Sequence, residues 1–315
     1  MTGAPGEWMA RGKQARSAVP RSAHAAFDAS TLDRDPIAVL EQQAETRVAE
    51  LIPLRYGRML ASPSAFYRGG ALVMACDLAR TPTTGISVQV SGDAHLNNFG
   101  LFASPERRLV FDVNDEDGRS LQPDRRALIE QFRVVDIARK VVGVGSVGTR
   151  TWVILLLGRD DQDPLFLQAK EAQPSVLEAF VGKSEHVNHG QRVVTGQRLM
   201  QATSDIFLGW EQADVDGQAR DFYVRQLRDG KGSVVVQMLT EQGLSRYGEL
   251  CGWTLARAHA RSGDRFAIAG YLGTGDSFDR ALAEFAEAYA DQNERDYQAL
   301  ADAVASGRVT AQTGL

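Results

Sequence analysis

Gly92-Asp93-Ala94-His95-Leu96-Asn97-Asn98 lies between two stretches of β-type alternation. Ahead of it, Ile86, Val88 and Val90 alternate with polar neighbours, the pattern of a half-buried strand. Behind it, two apolar runs, Phe99–Ala103 and Leu109–Val113, flank the turn residues Ser104-Pro105-Glu106-Arg107 and predict a hairpin. The strands therefore flank Asp93 on one side and carry Asp112 on the other.

Asp93 and Asn98 are five residues apart. That spacing lets one tight loop aim a carboxylate at a reacting hydroxyl and an amide oxygen at a metal ion. Asp112 comes past the hairpin, where it can meet the same metal, and Asp115 and Asp117 add further carboxylates that call for a cation. A plain Asx-rich turn would use the same residue types for its own backbone bonds. The ordered set of strand, Gly-Asp-x-His-x-x-Asn, hairpin and Asp favours the catalytic reading.

A second constellation is Gly143-x-Gly145-Ser146-x-Gly148. Alone it is shared by dinucleotide sites and by the glycine-rich loops of kinases. A dinucleotide site needs a helix directly after the glycines, whereas Thr149, Thr151, Trp152, Val153 and Ile154 are β-formers, so a strand-loop-strand hairpin over phosphates is expected. Lys170 closes the next apolar strand, Leu165–Ala169, within reach of phosphates beneath such a loop. Glu178 and Glu185 follow as candidate carboxylate partners.

Other polar groups carry less. His186 and His189 have a metal-type spacing without a Cys pair or a His-Glu-x-x-His pattern, and read as a surface turn. Asp264 follows a glycine but has Ala269 where a second amide ligand would stand. Arg55, Arg58 and Arg68, and Arg225, Arg228 and Lys231, can bind phosphate or carboxylate, but solvated arginines are commoner and both groups stay outside the site.

The bulk properties bound the class. With 315 residues, 43% of them hydrophobic, the chain can bury the core of one large domain or two lobes. A net charge of -5 gives no overall basic field to draw it to nucleic acid or an anionic membrane. The longest strongly apolar run is only Trp152–Leu157, so no membrane span is expected. Two cysteines, Cys76 and Cys251, far apart in apolar stretches, read as buried thiols in a reducing cytosol.

Along the chain, residues 1–35 read as a flexible or loosely docked arm, with helices predicted over 37–49 and 69–80. A helix is predicted over 127–138, then three strands through 141–157 and 164–170. A further helix is expected over 191–203, strands at 206–210 and 222–227, and helices at 247–260 and 278–304. The expected class is α+β, divided into the arm, a catalytic-loop and helical segment (36–138), a small β-rich nucleotide-binding lobe (139–235) and C-terminal helices (236–315).

RYGRMLASPSAFYRGG (55–70), GDAHLNNFGLFASPERRLVFDVND (92–115), RKVVGVGSVGT (139–149), PLFLQAKEAQPSVLE (164–178), GQRLMQATSDIFLGW (196–210) and CGWTLARAHARSGD (251–264) resemble bacterial domain of unknown function 2252. That family is grouped with the protein-kinase-like superfamily, and 92–98 is also similar to the loop of aminoglycoside and choline-type phosphotransferases. The resemblance implies a two-lobed kinase-like fold using ATP and Mg²⁺, with Asp93 as catalytic carboxylate, Asn98 and Asp112 as magnesium ligands beside Asp115, and Lys170 on the phosphates. It names no acceptor, small molecule or protein.

The glycine loop and lysine follow the catalytic loop here, the reverse of ordinary kinases, which implies a circular permutation. Members of the resembled family carry a long helical stretch that EDGRSLQPDRRALIEQF (116–132) shortens, so a reduced helical lobe is expected. Asn114-Asp115-Glu116-Asp117 lacks the aromatic residue usual between two aspartates, and Ser64 stands where an aromatic is usual. A nucleotide-binding pseudokinase acting through partners, or adenylyl transfer on the same parts, is the alternative.

Overall fold

The computed structural model describes residues 4–92, 94–103, 109–113, 123–141, 143–227 and 231–313. The first helix, α1 (Pro5–Ala18), starts on a proline whose fixed φ suits the first turn, and Glu7 accepts the Ala4 amide at 3.1 Å. Next come α2 (Pro36–Ala44), α3 (Ile52–Met59), α4 (Pro63–Gly69) and α5 (Ala71–Leu78). Asp35 caps α2 by accepting the Ile37 amide at 2.8 Å, and Ser62 caps α4 through the Ala65 amide at 3.1 Å. The helix expected over 69–80 is α5, and α4 precedes it, separated by Gly70. Residues 86–90 form no ladder among the described residues, because the Gln89 amide donates to Ser262 Oγ at 3.1 Å.

The expected hairpin is present as β1 (Phe99–Ala103) and β2 (Leu109–Val113), with Phe99 opposite Val113 and Gly100 opposite Asp112. The helix expected over 127–138 is instead a short helix, α6 (Pro123–Ile129), and a strand, β3 (Arg133–Arg139). Val134, Val135 and Ile137 are β-branched and restricted at χ1 in a helix, and ladder pairing with the following strand, β4 (Thr151–Leu157), prevails. Residues 143–148 are a turn containing one 3₁₀ segment, Val144–Ser146, and not a further strand.

Beyond β4 come β5 (Pro164–Ala172), α7 (Glu178–Val181), α8 (His189–Met200), β6 (Gly209–Val215) and β7 (Gln218–Gln226). Asp216 (φ 58°) and Gly217 (φ 72°) make the two-residue hairpin turn that extends β6 and β7 beyond the expected strands. The resulting five-stranded antiparallel sheet has the order β3-β4-β5-β7-β6. A last strand, β8 (Lys231–Ser233), returns to β1 and gives a second sheet, β2-β1-β8. Three helices close the chain: α9 (Glu241–Ser262), α10 (Arg265–Leu272) and α11 (Ser277–Ala305).

The N-terminal segment is docked, in place of the expected arm. Its α1 lies against α10 at backbone distance, with no room for a Cβ on Gly12 beside the Ala267 carbonyl or on Gly270 beside Met9. Arg16 donates to the Tyr271 carbonyl at 2.8 Å and also to Gly270, and Arg21 donates to Leu272, so cations meet the carbonyl end of α10. The helical core joins Ile37, Leu40, Tyr56, Met59, Phe66 and Val73 to Leu300 and Ala303 of α11, and it includes Val144 of the glycine turn. Beside this core, Arg34 bridges Asp77 and Asp296, each at 2.6 Å, and the Tyr289 hydroxyl donates to Asp77 at 3.0 Å.

Candidate functional site

Asn98 ends a 3₁₀ turn, Leu96–Asn98, one residue before the Phe99–Val113 pair, and Asp112 lies one residue before that pair on β2. Register alone thus brings both predicted metal ligands to one end of the hairpin. Tyr247 of α9 fixes the turn: its buried hydroxyl donates to the Leu96 carbonyl at 2.7 Å and to the Phe99 carbonyl at 3.1 Å, and its ring packs edge-on against Phe111. Burial pushes the phenol up to about 12. Asp93, the predicted catalytic carboxylate, and Asp115 lie outside the described residues.

Asp112 is only 5% exposed, and its Oδ2 accepts the Ala202 amide at 2.7 Å. Ala202 lies two residues past the end of α8, after its cap residue Gln201. Arg261 of α9 holds that end by donating to the Leu199 carbonyl at 2.9 Å and to Met200. Burial lowers the Arg261 pKa, and the negative charge of Asp112 opposes the shift. α9 therefore supports both predicted ligand positions, the Asn98 turn through Tyr247 and Asp112 through Arg261 and α8.

The glycine turn joins β3 to β4, the first two strands of the larger sheet, and a strand follows Gly148 as expected. Gly143 and Gly145 are exposed, Ser146 is half-buried, and Gly148 is buried with φ 92°. The turn leans on the helical block. Arg47 donates to the Gly145 carbonyl at 3.2 Å and to the Val147 carbonyl, and the Val48 amide donates to Gly148 at 2.8 Å.

Lys170 lies on β5, the third strand, between Thr151 and Tyr223, with its ammonium 5.8 Å from the centre of the Tyr223 ring. By strand alternation Gln168 and Lys170 share a face with Tyr223 and Arg225, opposite the cluster of Leu165, Leu167 and Phe207. Arg225 is 8% exposed and donates to Gln168 at 2.6 Å, so it is a core residue and not the solvated cation expected. On the same face Asp221 accepts the His189 amide at 2.8 Å, seating the first turn of α8 on this sheet.

α8 thus connects the two parts of the site, resting on the larger sheet at its start and reaching Asp112 at its end. Glu178 does not join them. It accepts the Ser175 amide at 3.2 Å and lies 3.7 Å from Arg192. α8 itself carries no Asp or Glu between His189 and Met200.

The oxygen donors at Asn98 and Asp112 suit a hard cation such as Mg²⁺, which keeps several waters and needs few protein ligands. Among the described residues no cluster of three or more His, Cys, Asp or Glu could hold a metal by itself. The residues that sequence reasoning missed are Arg47, Tyr247 and Arg261. Each acts on a backbone carbonyl far away in sequence, which no local motif announces.

The family model for uncharacterized proteins conserved in bacteria, DUF2252, matches residues 47–119 and 116–303. The chain belongs to the DUF2252 family. In this DUF2252 protein the two matched segments meet at 116–119, within the acidic stretch that follows β2. No curated protein and no solved structure matches the chain. Among the described residues no helix is long and apolar enough to cross a membrane.

Proposed function

We propose that this DUF2252 protein is an ATP- and Mg²⁺-dependent phosphotransferase with a circularly permuted, kinase-like two-lobed fold, acting on a hydroxyl acceptor. The observation that carries the reading is the order of parts in the larger sheet: a glycine turn between its first two strands, Lys170 on the third, then a helix whose end meets Asp112. Protein kinases place their glycine-rich loop and phosphate lysine on the small sheet in this way.

In this reading the turn at Gly143–Gly148 and Lys170 hold the phosphates, and the oxygens of Asn98 and Asp112 hold the metal. Asp93 orients the acceptor hydroxyl and takes its proton as the new phosphorus–oxygen bond forms and the bond to the β-phosphate breaks, releasing ADP. When bound, Mg²⁺ would supply neutralisation of the phosphate charge. Glu178 has no part in it. Free thiols at Cys76 and Cys251 suit a reducing compartment, and we place the protein in the cytoplasm.

Asp93→Asn is expected to lower turnover by about 10²–10⁴-fold with ATP affinity unchanged, the range for loss of a positioned acid–base group. Phosphate release or acceptor labelling at the wild-type rate would show that Asp93 is not the catalytic carboxylate.

One observation favours a second reading, a nucleotide-binding pseudokinase: the family match divides at the acidic stretch. ATP binding that ignores Mg²⁺, without transfer or hydrolysis, would establish that alternative.

A further inference from the structure

Resting on that reading of the glycine turn, we infer that Arg47 is a positioning residue that orients the turn for a phosphate chain from outside the sheet. Each carbonyl from Gly145 to Gly148 has a donor: Arg47 bonds Gly145 and Val147, the Val48 amide bonds Gly148, and Thr149 bonds Ser146. The Gly143 carbonyl accepts the Ser146 amide at 2.9 Å. The amides of Gly145 and Gly148 have no backbone acceptor outside the 3₁₀ segment among the described residues. Backbone groups away from water need partners, and amides of a turn left without acceptors can meet an anion. With its carbonyls taken by the helical block, the turn offers an anion its amides.

The charge behind the turn has the matching sign. Arg47 packs so closely under Gly148 that a Cβ there would come within 3.0 Å of its side chain, and its Nε has no partner. Arg55, fully buried on α3, spends Nη2 on Gly69 and Gln43 at 2.6 Å each, while its Nε and Nη1 have no partner. Burial lowers both guanidiniums, Arg47 to about 10 and Arg55 to about 9, and each remains a cation at neutral pH. A polyphosphate on the outer side of the turn gains from these charges without touching them. Arginine is needed because two carbonyls two residues apart ask for a forked donor, which an ammonium does not supply.

The test is calorimetric titration of the full chain in EDTA with ATP and, separately, with adenosine, comparing wild type, Arg47→Met, Arg47→Lys and Tyr271→Phe. Tyr271 is a buried tyrosine whose hydroxyl donates to Val19 at 2.9 Å, remote from the turn, and it controls for general loss of stability. Arg47→Met is expected to weaken ATP by about ten-fold or more and to leave adenosine unchanged, with Arg47→Lys intermediate and Tyr271→Phe like wild type.

Equal ATP affinity in Arg47→Met and wild type overturns the inference, as does equal weakening of ATP and adenosine. Should Arg47→Met not fold, Arg47→Lys decides: weaker ATP with unchanged adenosine supports the inference, and wild-type ATP affinity overturns it. A wild type that binds no ATP fails earlier and removes the phosphotransferase reading together with this one.

Discussion

Tyr247 is the side chain through which α9 reaches the Asn98 turn, and one hydroxyl serves two carbonyls there. Removing it deletes both of these bonds at a cost of about 1 kcal/mol, enough to loosen a ligand without unfolding the protein. Tyr247→Phe is therefore expected to raise the Mg²⁺ concentration needed for ATP-dependent stabilisation by roughly five- to ten-fold. The check is a thermal-shift titration of Mg²⁺ at saturating ATP, and an unchanged midpoint would mean that Tyr247 only packs. Little of this was legible in the sequence. Asn98 and Asp112 stand out because five-residue spacing and hairpin register are local facts. Tyr247 and Arg47 do not, because the carbonyls they hold lie 151 and 98 residues away. Arg55 was misread as a solvated cation for the same reason: its acceptor on Gly69 follows from how α3 and α4 pack.

At the level of elements, the hairpin at 99–113 and the apolar strands β4 and β5 were legible, whereas the alternation at 86–90 has no ladder among the described residues and segments with two competing patterns were not legible. Residues 127–138 offer a helical apolar period and a β-branched run together, and pairing with β4 decides for a strand over 133–139. That strand is exposed along its whole length, with Val134 at 57% and Ile137 at 56%. Exposed edges invite pairing with another chain, and this one has two defences: a register shift between Val134 and Asp136, and the Asp136 carboxylate, which accepts the Ile137 amide at 2.8 Å. Asp136→Val removes the charge and frees an edge donor. It is expected to increase light scattering at fixed concentration while ATP affinity stays at the wild-type value, and unchanged solubility would show that the edge needs no such guard. The N-terminal helix was missed because α1 has little apolar periodicity of its own and is held by α10, through glycine contact and arginine capping that only the tertiary structure supplies.

Across the whole molecule, α8 and α9 tie the larger sheet, with its glycine turn and Lys170, to the hairpin that carries Asp112. Several large exposed side chains lie on or beside these parts: β3, Trp253 at 53% on α9, and Met238 at 81% ahead of it. Such exposure fits a lobe reduced at 116–132, the same stretch in which the two family matches meet. The central claim is that the two halves form one ATP and Mg²⁺ site. Its most direct test is the melting temperature of wild type and Lys170→Ala with ATP alone and with ATP and Mg²⁺, since a ligand that binds only the folded state raises apparent stability. The account predicts that ATP raises the wild-type melting temperature, that Mg²⁺ raises it further, and that Lys170→Ala loses most of both gains. A wild type unmoved by ATP in either condition would contradict it.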